Sequence, residues 1–546
     1  MKTRSRVLFP VALLMAVALL YGGFLWSPIV FDDVYFFLDD TLIRYGRGDF
    51  PWSPRWLPYF TLGVSRQSFG LDLIGYRLPS LLLHAGVAMV LYGFLQQLWR
   101  AVLPAQEAGR LSDGSLAFFA ALIFALHPVA VYGAGYLIER TIVMATLFTL
   151  LMWWALLRGL EREHAAWLWA SVIFYALALS SKEHVIMAPA VSAALLLLWW
   201  RTHGKDRGGP LQAWLFRLLP IFLAYGVMAL IVVLQVKGVL GKVYEPQGAD
   251  AALQFSDLQL DADLIYPLSV FNQAALFFKY LGLWLVPNPV WMSVDMREPF
   301  ATSFWAWPQT LGFTAFMAYP LVALALMWRG GRLGLLGFAL IAPWLLFATE
   351  LVAVRLQEQF VLYRSYLWAA PAFAGLAVLF GRLEKRHAVL GLGLFSLLMF
   401  PLAYQRLQTF SHPLLLWDDA AQLVKGKDDR IGLARIYYNR GHELERAGLS
   451  EEAIVDYTRA LQEKTDYLRP YLLSDRGASN LTLKRYAEAL RDFDAAIALK
   501  EDNPRSYMGR GIALEALNQP EEALPSFRSA CQLGWMGACK KIENME

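Results

Sequence analysis

Cysteine is almost missing: the chain has two, Cys531 and Cys539, both close to the C-terminus. That excludes a disulfide framework and a thiolate-bound metal centre. Outside the cytoplasm the two thiols could pair; as small buried thiols they would need no partner. Charge is scarce as well. Charged residues make up 17% of the chain, where a soluble domain carries roughly 25%. The net charge of +4 is too small to argue for nucleic acid as a partner. What fills the chain instead is apolar: 57% hydrophobic residues, 20 tryptophans and a mean hydropathy of +0.40. Most of the protein reads as buried in lipid.

Long apolar runs begin at once. Val7 to Trp26 is almost free of charge and long enough to cross a bilayer. Lys2, Arg4 and Arg6 precede it as in a secretory signal, but no convincing small-residue cleavage site follows, so it reads as an uncleaved first helix. Further apolar segments fall near residues 78–98, 114–127, 140–157, 165–180, 185–200, 214–236, 305–328, 333–349, 365–381 and 387–404. The stretch Phe271 to Val286 carries Asn272, Gln273 and Lys279 and reads as a helix on the external surface that does not cross. The expectation is an all-α polytopic bundle of about eleven spans. Arg100, Arg110, Arg158, Arg162 and Arg201 to Arg217 fall in cytoplasmic loops if the N-terminus is cytoplasmic. Asp32, Asp33, His127 and Ser181 to His184 then face outward, and the C-terminus does too.

From about Gln405 the composition turns charged and alanine-rich. Three copies of a pattern align on Gly441, Gly477 and Gly511, on Ala453, Ala489 and Ala523, on Tyr457, Phe493 and Phe527, and on Ala460, Ala496 and Ala530. Small residues let paired helices approach, and the aromatics fill the space between them. This is the frame of the tetratricopeptide repeat. The expected organisation is a membrane domain over residues 1–404, a linker over 405–433, and a three-repeat α-solenoid over 434–546 on the external side. Its generic role is to present a concave surface to a protein; bracing the membrane domain is the plainer alternative.

The external loops hold few ionisable residues, which narrows the search for a site. Asp32 and Asp33 follow the first span among aromatics and lead as a general base or as ligands of a divalent metal such as Mg or Mn. Asp39 and Asp40 could support them, or simply cap the helix expected from Thr41. Arg140, with Glu139 beside it, and the triplet Lys182-Glu183-His184 supply charge at the mouths of spans, where a guanidinium or ammonium can grip a phosphate. Tyr363 and Arg364 add to that set. His127 opens an external turn. His84 lies on an apolar helix, where a histidine is more often packed and hydrogen-bonded than a ligand.

Five motifs in order carry a family resemblance: Phe31-Asp32-Asp33; Tyr76-Arg77 with His84; His127-Pro128-Val129 with Arg140; Ser181-Lys182-Glu183-His184; and Leu362-Tyr363-Arg364-Ser365-Tyr366-Leu367. Together they resemble the GT-C class of lipid-sugar-dependent glycosyltransferases, above all the transmembrane-and-tetratricopeptide O-mannosyltransferases and their bacterial relatives. The chain departs from that pattern at Tyr132, where the family has an acidic residue. The resemblance implies a polyprenyl-phosphate sugar as donor and Asp33 or Asp32 as the base. Arg140, Lys182, His184 and Arg364 would hold the donor phosphate. A Ser/Thr of an exported protein, docked on the repeats, would be the acceptor. It also implies residence in a bacterial cytoplasmic membrane with the repeats outside. Two other readings stand beside it: a GT-C enzyme acting on a lipid or polysaccharide, and a non-enzymatic, membrane-anchored tetratricopeptide scaffold.

Overall fold

The computed structural model describes residues 2–38, 40–104, 110–203, 210–243, 261–463 and 465–545. Their regular structure is helical, and two isolated bridges, Arg110 to Glu384 and Met296 to Phe360, are the extended pairings among them. Among the described residues eight helices are long and apolar enough to cross a membrane, or nine if one bent pair counts as a single span. The difference from eleven has local causes. Asp113–Leu126 is capped by Ser112, whose hydroxyl accepts from the Ser115 N–H at 3.2 Å, and then ends before Pro128. The chain bends there by 54° into Pro128–Ala134. Ala165–Leu179 is only 15 residues long. The segment near 365–381 breaks into Ser365–Ala372, a 3-10 turn at Phe373–Gly375 and Leu376–Phe380, with Pro371 just before the break.

Burial sorts the long helices. Arg140–Arg162 has 72% of its apolar window buried in the protein, against 17% for Gln309–Arg329 and 22% for Leu211–Gln235. The first is a central post. The others turn Leu321, Leu230 and Val227 outward. Ala262–Leu285 is 24 residues long and keeps Asn272 and Gln273 buried through hydrogen bonds to the Ala301 and Gln359 carbonyls. It is not among the helices apolar enough to span.

The expected linker is largely helical: Lys385–Thr409 runs past residue 404, and Pro413–Val424 forms a helix of its own. Three helix pairs then stack: Leu433–Arg446 with Ser450–Ala460, Arg469–Thr482 with Tyr486–Leu499, and Pro504–Ala516 with Pro520–Gln532. The glycine frame has a direct steric reason. A Cβ on Gly441 would stand 2.7 Å from the Tyr457 ring, on Gly477 3.0 Å from Phe493, and on Gly511 2.5 Å from Phe527.

A second periodicity escaped the sequence reading. Arg440 bonds both carboxylate oxygens of Asp456 at 2.6 Å and reaches Asp418 at 3.1 Å. Arg476 repeats this with Asp492 and Thr458, and Arg510 with Ser526 and Asp494. Each arginine ties the second helix of its own repeat to the helix before the repeat begins.

The last helix, Met536–Glu543, caps the stack through Ala538, Ile542 and the Lys541–Glu515 ion pair at 2.8 Å. Cys531 and Cys539 are joined in a disulfide that clips this cap to the third repeat. Opening an eight-residue link of this kind removes about 2.5 kcal/mol of chain-entropy stabilisation. Dithiothreitol, or Cys539→Ser, is therefore expected to expose the chain after Leu533 to protease while the first repeat stays protected. Equal digestion before and after reduction would show that packing alone holds the cap.

Candidate functional site

The repeats are fastened to the helical body at one corner. Trp417, Val424, Leu433 and Tyr437 form a small core that also takes Phe31 and Val294 from the body. Beside it Asp295 accepts from the Arg435 Nε at 2.7 Å and from the Arg297 Nη2 at 2.9 Å. Burial alone would raise the Asp295 carboxyl, but the two guanidiniums outweigh it and hold it below the usual range. Gly432 sits at φ +78°, directly under Arg297, where a Cβ would come within 2.5 Å of the guanidinium. A second tie runs from Arg406 to Asp419 at 2.9 Å.

Against this corner lies a cavity of about 720 Å³. One wall is charged: Asp32, Arg55, Glu139, Lys182, Glu183, His184, Arg355, Glu358 and Arg364, with Tyr59 and Tyr363 among them. Val232, Val233, Val236, Val239 and Leu240, at the end of an outward-facing helix and just past it, give the lining an apolar side that is broken by Lys237. Charges on the polar wall are closely paired. The Lys182 Nζ lies 2.7 Å from Glu139 and 4.6 Å above the Tyr363 ring. Burial pushes the Lys182 ammonium below its ordinary value, with Glu139 opposing the shift. Glu183 accepts from the Arg55 Nε at 3.0 Å. Arg364 bonds Glu350 at 2.9 Å and Glu358 at 2.5 Å, and Arg355 approaches Glu350 at 3.6 Å. His184 stands 3.5 Å from Glu183 and 3.4 Å from Glu350.

The residues singled out by sequence divide between this cavity and the core. Asp32, Glu139, Lys182, Glu183, His184, Tyr363 and Arg364 line it. Asp33 lies beneath, fully buried, its carboxylate accepting from the Ile138 N–H at 2.8 Å and the Leu137 N–H at 3.3 Å. Burial raises Asp33 to about 7, against Arg77 and those two N–H groups. Burial also raises Asp32 to about 6, helped by Glu358 and opposed by Arg435. Arg140 is spent inside the bundle on Ser80, Thr61 and the Tyr76 carbonyl. His84 bonds the Tyr366 hydroxyl at 2.7 Å and the Ala125 carbonyl at 3.0 Å. His127 accepts from the Val129 N–H and stacks on Trp284. Asp40 precedes the helix Thr41–Arg47 without a side-chain cap, and Asp39 lies outside the described residues. Among the described residues no group of three or more His, Cys, Asp or Glu is placed to hold a metal ion.

Arg55 is the lining residue that sequence reasoning missed. It adopts φ +69° ahead of the helix Trp56–Phe69, and no pattern around it announces a partner 128 positions away. Glu350, Arg355 and Glu358 lay between two apolar segments with no sign that their charges converge on Arg364.

Comparison with known proteins decides which part of the chain has recognisable kin. The tetratricopeptide repeat family matches residues 434–467. That stretch is a tetratricopeptide repeat. RNA polymerase II-associated protein 3 of Mus musculus is 30% identical over 120 residues, 21% of this chain and 18% of its own. Small glutamine-rich tetratricopeptide repeat-containing protein 2 of Saccharomyces cerevisiae is 28% identical over 116 residues, 21% of this chain and 31% of its own. DnaJ homolog subfamily C member 7 homolog of Schizosaccharomyces pombe is 36% identical over 97 residues, 17% of this chain and 20% of its own. The chain thus spans less than a third of the length of these relatives.

These matches overturn the glycosyltransferase expectation, since the matched family is the tetratricopeptide repeat and none of these three relatives is named as a sugar transferase. The enzymatic reading and protein O-glycosylation fall with it. So does the bacterial inner-membrane assignment, because the relatives are proteins of mouse and yeasts. The geometry supplies a physical reason for the misreading. Asp33 closes a turn, Arg140 and His84 satisfy buried polar groups, and Lys182 neutralises Glu139. A buried polar residue held for packing looks the same in sequence as one held for chemistry.

Proposed function

We propose that this protein is a tetratricopeptide scaffold seated in a membrane by its apolar helical body, and that it holds a protein partner on its repeats. The observation that carries the reading is the rigid fastening of the first repeat: Arg435, Asp295 and Arg297 close a buried ion cluster, and Arg406 meets Asp419 beside it. Stacked repeats expose an extended surface that suits a protein or peptide. Long apolar helices with outward-facing leucines suit a bilayer. The test uses the full chain in cells, with a photoreactive residue in place of Tyr467 or Ile512 on the repeats, or of Leu321 on the body. A discrete protein adduct at the repeat positions, with none at Leu321, is the expected result. No adduct at either repeat position would end the scaffold reading.

One observation favours a second role for the body. The cavity combines a charged wall with a valine-rich side, a combination that fits an amphiphilic ligand with a charged head near Lys182 and Arg364. On this reading Lys182→Met removes a head contact and leaves Glu139 buried and unpaired. It is expected to reduce co-purified amphiphile about tenfold or more by native mass spectrometry. Undiminished ligand in the variant would assign the Lys182–Glu139 pair to folding alone.

A further inference from the structure

A second hollow, of about 300 Å³, opens on the first repeat between the helices Pro413–Val424, Leu433–Arg446 and Ser450–Ala460. It is lined by Asp418, Arg440, Leu444, Glu452, Val455 and Asp456. Arg440 is already committed to Asp456 and Asp418 and does not reach Glu452. Glu452 makes no ion pair among the described residues, and the Asp418 side chain remains 48% exposed. The apolar part of the wall is open too: Val455 is 65% exposed, with half-buried Leu444 behind it. Glu452 and Val455 are three positions apart on one helix and so present themselves on one face.

We infer that this groove is the seat of a cationic amphipathic segment of a protein partner. Charge complementarity selects that occupant over others. Three carboxylates face one guanidinium, so the groove keeps an unmet negative charge beside an uncovered aliphatic surface. A Lys or Arg set three or four residues from a Leu or Val on a partner helix meets both at once: the ammonium reaches Glu452 and Asp418, and the aliphatic side chain covers Val455 and Leu444. An acidic segment would be repelled, and a purely polar one would leave the valine wet. The inference rests on the scaffold reading and specifies which surface of the repeats is used and by what chemistry.

The test measures binding of a short fluorescein-labelled Leu/Lys amphipathic peptide to the full chain in amphipol by anisotropy. A Leu/Glu twin and a Ser/Lys peptide serve as comparisons. The Leu/Lys peptide is expected to bind, and the other two are not. Glu452→Lys and Val455→Asp are each expected to weaken it about tenfold or more, and Glu452→Gln by less. Leu499→Asp, at the exposed end of the second repeat, is expected to leave it unchanged. Circular dichroism and unfolding midpoints establish that the variants keep the repeats folded. Binding that survives Glu452→Lys, equal binding of the Leu/Glu twin, loss with Leu499→Asp, or no binding of the Leu/Lys peptide each overturns the groove. The cross-linking at Tyr467 and Ile512 answers separately for the scaffold, so the two can fail independently.

Discussion

Asp295→Ala is expected to cost about 3–5 kcal/mol of stability and to release the repeats from the body. The carboxylate is 3% exposed and neutralises two guanidiniums, Arg297 and Arg435, that are themselves 3% and 7% exposed. Removing it leaves two buried cations in contact with each other's field. Arg297 keeps long contacts of 3.4 Å to the Leu356 and Ile431 carbonyls, and Arg435 keeps Glu358 at 4.0 Å, which is too little to compensate either. Asp295→Asn should cost less, since the amide oxygen still accepts a hydrogen bond. The measurement is denaturant unfolding of the purified chain, paired with protease cleavage in the segment 425–432 between the last linker helix and the first repeat. An Asp295→Ala protein as stable and as protected as the parent would show that the Trp417 and Phe31 packing suffices.

The second large effect is on pH dependence. Burial lifts the Asp33 carboxyl from its ordinary value of 3.8 to about 7. A carboxyl whose folded value is raised binds its proton more tightly in the folded than in the unfolded chain. Its contribution is therefore fully present below pH 3.8 and is lost as pH rises through about 7. Asp32, raised to about 6, acts in the same direction over a narrower window. Asp33→Asn removes the titration and keeps an oxygen for the Ile138 N–H. It is expected to flatten the fall in stability across that window and to leave the variant about 2–4 kcal/mol less penalised near neutral pH. Parallel stability curves for parent and variant would refute the assignment. Other carboxylates titrate in both proteins, so the difference between the curves is the quantity to read.

The repeats were legible because their signal is local and periodic. Gly441 under Tyr457, and its two successors, follow from one steric rule that recurs in sequence. The arginine ladder has the same period but went unread, because a charged residue on a helix usually means a wet face. Its partners Asp456 and Asp492 become visible only when the helices are stacked. In the body, composition made the apolar helices plain, while Pro128 and Pro371 hid the places where spans break. The cavity was half legible. Lys182, Glu183, His184 and Arg364 stood out as charges at the ends of apolar runs, yet Arg55 arrives from 128 positions away, and nothing local shows Glu358 turning back onto Arg364. Their meaning is a tertiary fact.

Phe31 is where the two halves of the molecule meet in a single residue. Its φ of +54° is a left-handed conformation that a bulky side chain rarely adopts, at a cost on the order of 1–3 kcal/mol. The Trp417 ring stands edge-on to it at 5.1 Å, Tyr136 stacks against it at 6.2 Å, and Arg435 lies over its face at 5.5 Å. Two of those three holders lie beyond the body, one in the helix leading into the repeats and one in the first repeat itself. The very next residues begin the short helix that carries Asp32 and Asp33. The junction is thus closed over a strained residue gripped from both sides, and the next residue in the chain, Asp32, lines the cavity.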